Sequence, residues 1–292
     1  MFENLLIILE QSLILLPLIL GAYLSMSLMK VPNLGIESAF VFGAIVGYQS
    51  LSYAPEAGLL SLIISLLASS LGGMFVGIIT SIITMKLKLS NLLSAIVTIG
   101  LFNGISQYVL GSSHAAVTIN NLGIIPSIHR FPALSNLLIL AIFIFLLFFI
   151  FIKTKLGVSC AIYGNNPKFF KKYNISSYFI FFIGMALSGA LAGISGYLVT
   201  QTNGFVDISM SLGISLFCIT VLMMGQALVK TYKPITCIVP LIGIVAYFSL
   251  QQLLLKLGFD LRYFNIIQAL VILTKVIILQ KGLKENQNQL GI

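Results

Sequence analysis

Long apolar runs separated by short polar loops dominate the hydrophobic pattern of this chain. Each run has roughly the 17–25 apolar residues that an α-helix needs to cross a bilayer, so each is predicted to be a transmembrane helix. The predicted spans lie near residues 5–29, 36–53, 58–85, 90–111, 136–152, 177–201, 210–229, 235–255 and 263–280. The pattern predicts an all-α polytopic membrane protein of about nine (eight to ten) transmembrane helices, with residues 1–292 forming one domain.

Composition agrees with this pattern and excludes a soluble domain. Hydrophobic residues make up 59% of the chain, charged residues only 8%, and the mean hydropathy is +1.09. The first apolar run has no basic residue before it and no small-residue cleavage site after it. It is therefore expected to be the first span rather than a removable signal peptide.

Basic residues predict the orientation, because lysine and arginine collect in cytoplasmic loops. If the nine spans alternate, thirteen of the sixteen basic residues fall on one side. These are Lys30, Lys86, Lys88, Lys153, Lys155, Lys168, Lys171, Lys172, Lys230, Lys233, Lys275, Lys281 and Lys284. The N-terminus is expected outside and the C-terminus in the cytoplasm. The net charge of +9 is thus interpreted as an orientation signal and not as a nucleic-acid-binding surface.

Small residues recur at helical spacing in the span near 177–201, and the pairs Gly43/Gly47 and Gly73/Gly77 occur earlier. Such spacing allows close approach of helix backbones in lipid. The residues expected to pack in this way are Gly184, Ser188, Gly189, Ala192, Gly193 and Gly196.

Two segments interrupt the helical pattern, one at Pro32–Ser38 and the other at Thr202–Gly213. Each precedes a glycine-containing span, the first on the predicted inner side of the membrane and the second on the predicted outer side. Interrupted helices at corresponding positions of two halves are typical of inverted repeats around a central path. The sequence therefore predicts an inverted repeat.

No pattern of catalytic or metal-binding residues is present. The three cysteines and two histidines lack metal-ligand spacing, and no nucleophile elbow, HExxH or P-loop occurs. No catalytic residue, metal or cofactor is expected. Glu37, Asp207 and Asp260 fall at predicted span ends, which disfavours an ion-coupled carrier, since such carriers usually hold acidic residues within the membrane.

One span presents a polar face. Asn103, Ser106 and Gln107 lie together at spacings of three and four residues, and Thr98 lies about one and a half turns away. Polar side chains in lipid face the bundle interior, so these four residues are candidates for the translocation path. A helix–helix hydrogen bond explains the same face equally well.

The loop from Lys153 to Tyr173 carries the clearest signal of a soluble partner. Asn165 and Asn166 suit the N-cap of a helix and Pro167 suits its first position, which predicts a short helix to about Tyr173. Phe169 and Phe170 would project from it. Lys168, Lys171 and Lys172 would surround the two rings, and Gly164 precedes the helix. The alternative is that the lysines serve only as an orientation signal.

The stretch TKLGVSCAIYGNNPKFFKKYNIS resembles the cytoplasmic signature of permease subunits of branched-chain amino acid and ribose type ABC importers, T-x-x-G-x-x-x-R-A-x-G-x-N-x-x-x-A-x-x-x-G-I. Gly157, Gly164 and Ile175 match it, while Ile162 or its neighbour replaces the arginine and Asn174 the last glycine. Upstream, PNLGIESAFVFGA is similar to the P-D-L-T-x-x-G-S-F-x-L-G-A of a subgroup assigned to the uptake of amino acids such as tryptophan or tyrosine. The resemblance covers about residues 20–280.

The resemblance implies a multi-pass subunit of the bacterial inner membrane that forms the translocation path for a small solute, an amino acid. Its partners would be a cytoplasmic ABC ATPase, a second permease copy in a homodimer or heterodimer, and an extracytoplasmic substrate-binding protein. Residues of about 154–176 would couple the permease to the ATPase, which would hydrolyse ATP in place of this chain. An ion-coupled secondary transporter or a channel is the alternative.

Overall fold

The computed structural model describes residues 2–53, 59–117, 130–166, 168–173, 175–229, 236–260, 263–274 and 277. Within these ranges every predicted span coincides with an apolar helix. Seven of the helices are long and apolar enough to cross a membrane, and Ile36–Leu51 and Phe264–Thr274 are shorter. The all-α polytopic fold is therefore confirmed, and the count of nine is approximate.

Eleven α-helices occur in the described residues. Their bounds are α1 Phe2–Ala22, α2 Ile36–Tyr53, α3 Leu59–Lys86, α4 Asn91–Leu110, α5 Arg130–Lys153, α6 Lys155–Asn165, α7 Lys168–Lys172, α8 Ser177–Asn203, α9 Ile214–Leu228, α10 Ile238–Lys256 and α11 Phe264–Thr274. A π-helical turn, Tyr23–Leu28, continues α1, and a 3₁₀ turn, Ile208–Ser211, precedes α9.

Helix α8 forms the centre of the bundle and packs against α1, α2 and α3. Glycines permit these contacts. A Cβ added to Gly73 would lie 2.2 Å from the carbonyl oxygen of Gly189, and one added to Gly43 would lie 2.3 Å from the Cα of Gly193. Since no side chain separates the backbones, the helices approach as closely as small residues allow in lipid.

The remaining residues expected to pack also lie at helix contacts. Gly196 faces the carbonyl oxygen of Phe40, and Gly184 faces the sulfur of Met29. Ser188 donates a hydrogen bond to the carbonyl oxygen of Gly21 at 2.8 Å, and Ala192 is fully buried. Helices α9 and α10 also pack closely at a glycine, because Gly225 lies against the backbone of α10.

A short antiparallel strand pair is present that the sequence did not predict. Strand β1, His114–Ala116, pairs with β2, Phe205–Asp207, so that His114 lies opposite Asp207. The strand pair joins the segment after α4 to the segment after α8. It therefore holds the start of the 3₁₀ turn beside the Leu110 end of α4.

The segment between the π-helical turn and α2 returns into the bundle. Met29, Val31 and Asn33 are buried, and the amide of Asn33 donates to the hydroxyl of Ser188. Thr80 of α3 packs on Gly35, six residues before α3 ends. Helix α2 consequently begins inside the bundle. The predicted inverted repeat stays a prediction.

Candidate functional site

A cavity of about 330 Å³ lies between α2, α4 and the segment after β2. Its lining residues are Glu37, Ser38, Val41, Ile99, Phe102, Asn103, Ser106, Gln107, Ser113, Asp207, Ile208, Ser209, Ser211 and Leu212. The volume is at the lower end of small-molecule sites. Polar and apolar groups both face it, which suits a solute that carries both.

Three of the four path candidates line this cavity. Asn103 and Gln107 are exposed toward it and Ser106 is buried in its wall. Thr98 is absent from the lining, because it is buried and its hydroxyl donates to the carbonyl oxygen of Ser94 at 2.8 Å. The structure thus brings the polar face together and leaves Thr98 in a local helix bond.

Glu37 connects two helix starts at the cavity. Its Oε1 accepts a hydrogen bond from the backbone N–H of Ser215 at 3.1 Å. Ser215 lies in the first turn of α9, whose N-cap residue Gly213 has no side chain to serve that N–H. The carboxylate therefore caps α9 from another helix, where the helix dipole also favours a negative charge.

The depth of Glu37 follows from its neighbours. The Phe42 and Phe102 rings meet edge-on at 5.1 Å, and seven residues further along both helices Gln49 donates to the carbonyl oxygen of Val109. Helices α2 and α4 are thus parallel and in register. Glu37 comes level with Val97, about 9 Å along α4 from Asn91 at 1.5 Å per residue.

That depth corrects the interpretation of Glu37 as a residue at the membrane surface. It does lie at a helix end, but α2 begins inside the bundle because the segment before it is folded back. Hydropathy locates where apolar runs begin and gives no depth for an interrupted helix. An acidic residue within the bundle was therefore missed.

Asp207 supplies the second carboxylate of the cavity. Its Oδ1 accepts from the backbone N–H of Ser209 at 2.7 Å and from the Ser209 hydroxyl at 2.8 Å. These two bonds hold the pKa of Asp207 below its usual value, and the nearby His114 acts in the same direction. Asp207 is therefore ionised at neutral pH.

The predicted coupling segment forms two helices, α6 and α7. Asn166 ends α6, and its carbonyl oxygen accepts from Phe169 N as α7 begins. Lys168 and Lys172 are exposed. Pro167 and the side chain of Lys171 lie outside the described residues, as does His129.

The structure corrects the role expected of Phe170. Its side chain is only 2% exposed and belongs to the hydrophobic core of the bundle, so it does not project toward a partner. Phe169 is 37% exposed and packs against exposed Tyr173, with the rings tilted by 41° and their centroids 4.7 Å apart. The accessible aromatic pair is therefore Phe169 with Tyr173, because α7 turns Phe170 inward.

The coupling segment contacts the end of the π-helical turn. Lys30 Nζ donates to Asn165 Oδ1 at 2.7 Å, and a Cβ on Gly164 would lie 2.1 Å from the carbonyl oxygen of Leu28. The segment of residues 29–35 begins at this contact and ends at α2, where Glu37 faces the cavity. A continuous path of packed backbone thus joins α6 to the cavity.

The described residues contain no group of metal ligands. Among them, no three His, Cys, Asp or Glu side chains are grouped to hold a metal ion. Cys160, Cys218 and Cys237 are buried and free. The hydroxyl of Ser113 lies 3.2 Å from Nδ1 of the neighbouring His114, and this pair is exposed.

Comparison with known proteins gives a consistent result. The family model described as "Branched-chain amino acid transport system / permease component" matches residues 4–276. The chain is similar to the "Tyrosine transport system permease protein" of Clostridioides difficile (strain R20291), with 28% identity over 91% of this chain and 88% of that protein. It is also similar to an uncharacterised protein of Rickettsia prowazekii (strain Madrid E), with 27% identity over 86% of this chain and 89% of that protein. No solved structure matches significantly.

Proposed function

Because the chain belongs to the branched-chain amino acid transport permease family, we propose that it is the membrane subunit of an ATP-driven importer of an amino acid. The observation that carries the proposal is the family match over nearly the whole chain. A separate ATPase hydrolyses ATP, and this chain supplies the path. Tyrosine is the first solute to test, since one relative is named for its transport.

Each end of the permease has a partner in this proposal. Helices α6 and α7 lie in the cytoplasm and dock on the ATPase through Phe169, Tyr173 and the lysines around them. A second permease copy completes the path, in a homodimer or a heterodimer. A substrate-binding protein delivers the solute on the extracytoplasmic side, where strands β1 and β2 lie. The N-terminus is outside and the C-terminus is cytoplasmic.

The contacts between α6 and the π-helical turn support a coupling mechanism. When the ATPase moves α6, the tight contact of Gly164 with Leu28 and the bond of Asn165 to Lys30 transmit the displacement to residues 29–35. These residues lead directly into α2. The cavity beside Glu37 therefore changes shape as ATP is bound and hydrolysed.

The test is uptake by the reconstituted complex. The tagged chain is purified with the proteins bound to it, placed in liposomes and supplied with radiolabelled tyrosine and the co-purified binding protein. We expect uptake that requires ATP on the ATPase side and persists when ionophores collapse ion gradients. A complex whose ATPase carries a substituted catalytic glutamate is the control.

An ion-coupled carrier is the second candidate, and the position of Glu37 within the bundle is the observation in its favour. It makes the opposite prediction in the same assay. Uptake without ATP that an ionophore abolishes would replace the importer with the carrier.

A further inference from the structure

We propose that the cavity between α2 and α4 binds the ammonium group of the transported solute at Glu37, and that Asp207 adds a second negative charge at the other end of the cavity lining. The inference rests on the proposed function, because it assigns which part of the amino acid this site recognises. It goes beyond that function in naming the residues that select an amine.

The charge of the lining is the first argument. Glu37 and Asp207 both face the cavity, and none of its lining residues is Lys, Arg or His. The two carboxylates attract a cation and repel an anion, and no basic side chain of the lining offsets them. The interaction of Glu37 with a cation is stronger within the bundle than in water. An amine or a zwitterion is favoured over a purely anionic solute.

Unpaired hydroxyl groups are the second and independent argument. Ser106 is 2% exposed and Ser38 is 8% exposed, and both line the cavity. Among the described residues, neither hydroxyl is hydrogen-bonded to another group. Neither oxygen is among the fully enclosed unpaired atoms, so both are accessible from the cavity and can bond a polar solute there.

The rest of the wall suits the remainder of an amino acid. The exposed amides of Asn103 and Gln107 carry N–H donors that match a carboxylate. Val41 and Phe102 supply an apolar surface for a side chain. Negative charge, N–H donors and an apolar surface are thus available in one cavity of about 330 Å³.

Glu37 has a partner within the protein. The Ser215 N–H and the positive end of α9 satisfy one oxygen of its carboxylate. An ammonium group that binds Glu37 therefore acts directly at the first turn of α9. Binding of a solute in the cavity thus affects α9, although no residue of that helix is part of the lining.

Direct binding to the permease alone tests the inference, because it removes the selectivity of a binding protein. The purified full chain in nanodiscs is titrated with radiolabelled tyrosine, and two competitors are compared. Tyramine keeps the ammonium and lacks the carboxylate, while 4-hydroxyphenylpropionate keeps the carboxylate and lacks the ammonium. The variants are Glu37→Gln, Asp207→Asn and the control Glu10→Gln, which alters an acid of α1 away from the cavity lining.

We expect tyramine to compete about tenfold better than the carboxylate analogue, which corresponds to one charge-assisted contact. Glu37→Gln should weaken tyrosine binding about tenfold and reduce the advantage of tyramine, since glutamine still accepts from Ser215 N–H but carries no charge. Asp207→Asn should act in the same direction, and Glu10→Gln should bind as the unaltered chain does. Thermal stability of each variant confirms that it is folded.

Several binding results would each overturn the inference. They are unchanged binding by both cavity variants, equal competition by the two analogues, and no saturable binding of tyrosine at millimolar concentrations. Repeating the titration in sodium chloride and in potassium chloride separates an organic ammonium from an inorganic cation, and displacement of tyramine by sodium would also overturn it. If the complex still shows ATP-dependent uptake in any of these cases, the proposed function stands without this site.

Discussion

Gly73 shows how strongly single residues constrain this bundle. A methyl group at this position would lie 2.2 Å from the carbonyl oxygen of Gly189, so Gly73→Ala must separate α3 from α8. Overpacking of this kind costs about 1–3 kcal/mol, and we expect a lower unfolding temperature in detergent. Gly100→Ala is the matched control, because nothing lies within 4 Å of the position that its Cβ would take. Equal unfolding temperatures for the two variants would contradict the helix contact.

Residue identity predicted some positions of the site and missed others. Asn103, Ser106 and Gln107 were predicted as a group because polar side chains in an apolar run are expected to face the bundle interior. Glu37 was missed because hydropathy gives no depth, and its partner Ser215 lies 178 residues away in the chain. Phe170 was misplaced because adjacent residues on a short helix point in different directions, and only the packed bundle shows which ring faces inward.

The exposed aromatic residues of α7 and its flank lead to a testable prediction about docking on the ATPase. If Phe169 and Tyr173 dock on an ATPase, Phe169→Ala with Tyr173→Ala should reduce the co-purified ATPase about tenfold or more, since burial of an aromatic ring contributes about 1.5–3 kcal/mol. Lys168→Ala with Lys172→Ala should weaken assembly only slightly, because exposed ion pairs contribute about 0–1 kcal/mol. Quantification of ATPase per permease measures both effects.

Phe170→Ala separates docking from folding in the same experiment. Its ring is buried, so the substitution should lower the unfolding temperature of the permease itself by removing about 3–5 kcal/mol of core packing.

If the lysine pair controls assembly and the aromatic pair does not, the lysines act as an orientation signal and the docking assignment is wrong.

The transmembrane helices were the best predicted feature of this structure. Long apolar runs mark helices because every backbone group in lipid must be bonded within its own segment. The pairing of β1 with β2 was not predicted, since each strand has only three residues and the two come from loops that are distant in sequence. The π-helical turn was not predicted either, because nothing in local composition distinguishes it from the helix that it continues.

Orientation is the prediction that belongs to the whole molecule. The distribution of basic residues predicts that α7 is cytoplasmic and that β1 and β2 are outside. A cysteine at Ser112 should therefore react with an impermeant maleimide in intact cells, and one at Lys172 should not. Both positions are exposed in the structure, and the three native cysteines are buried. Labelling at residue 172 without labelling at residue 112 would invert the topology and remove the ATPase assignment.

The central position of α8 has a consequence for biosynthesis. Helices α1, α2 and α3 leave the ribosome first, and the chain from residue 87 to residue 176 must be made before α8 begins. At about 5–20 residues per second, this delay lasts roughly 5–20 seconds. During it, the grooves at Gly43 and Gly73 have no helix to fill them. Lipid or an insertion factor must occupy these grooves, so the nascent chain is most vulnerable to quality-control proteolysis before α8 is inserted.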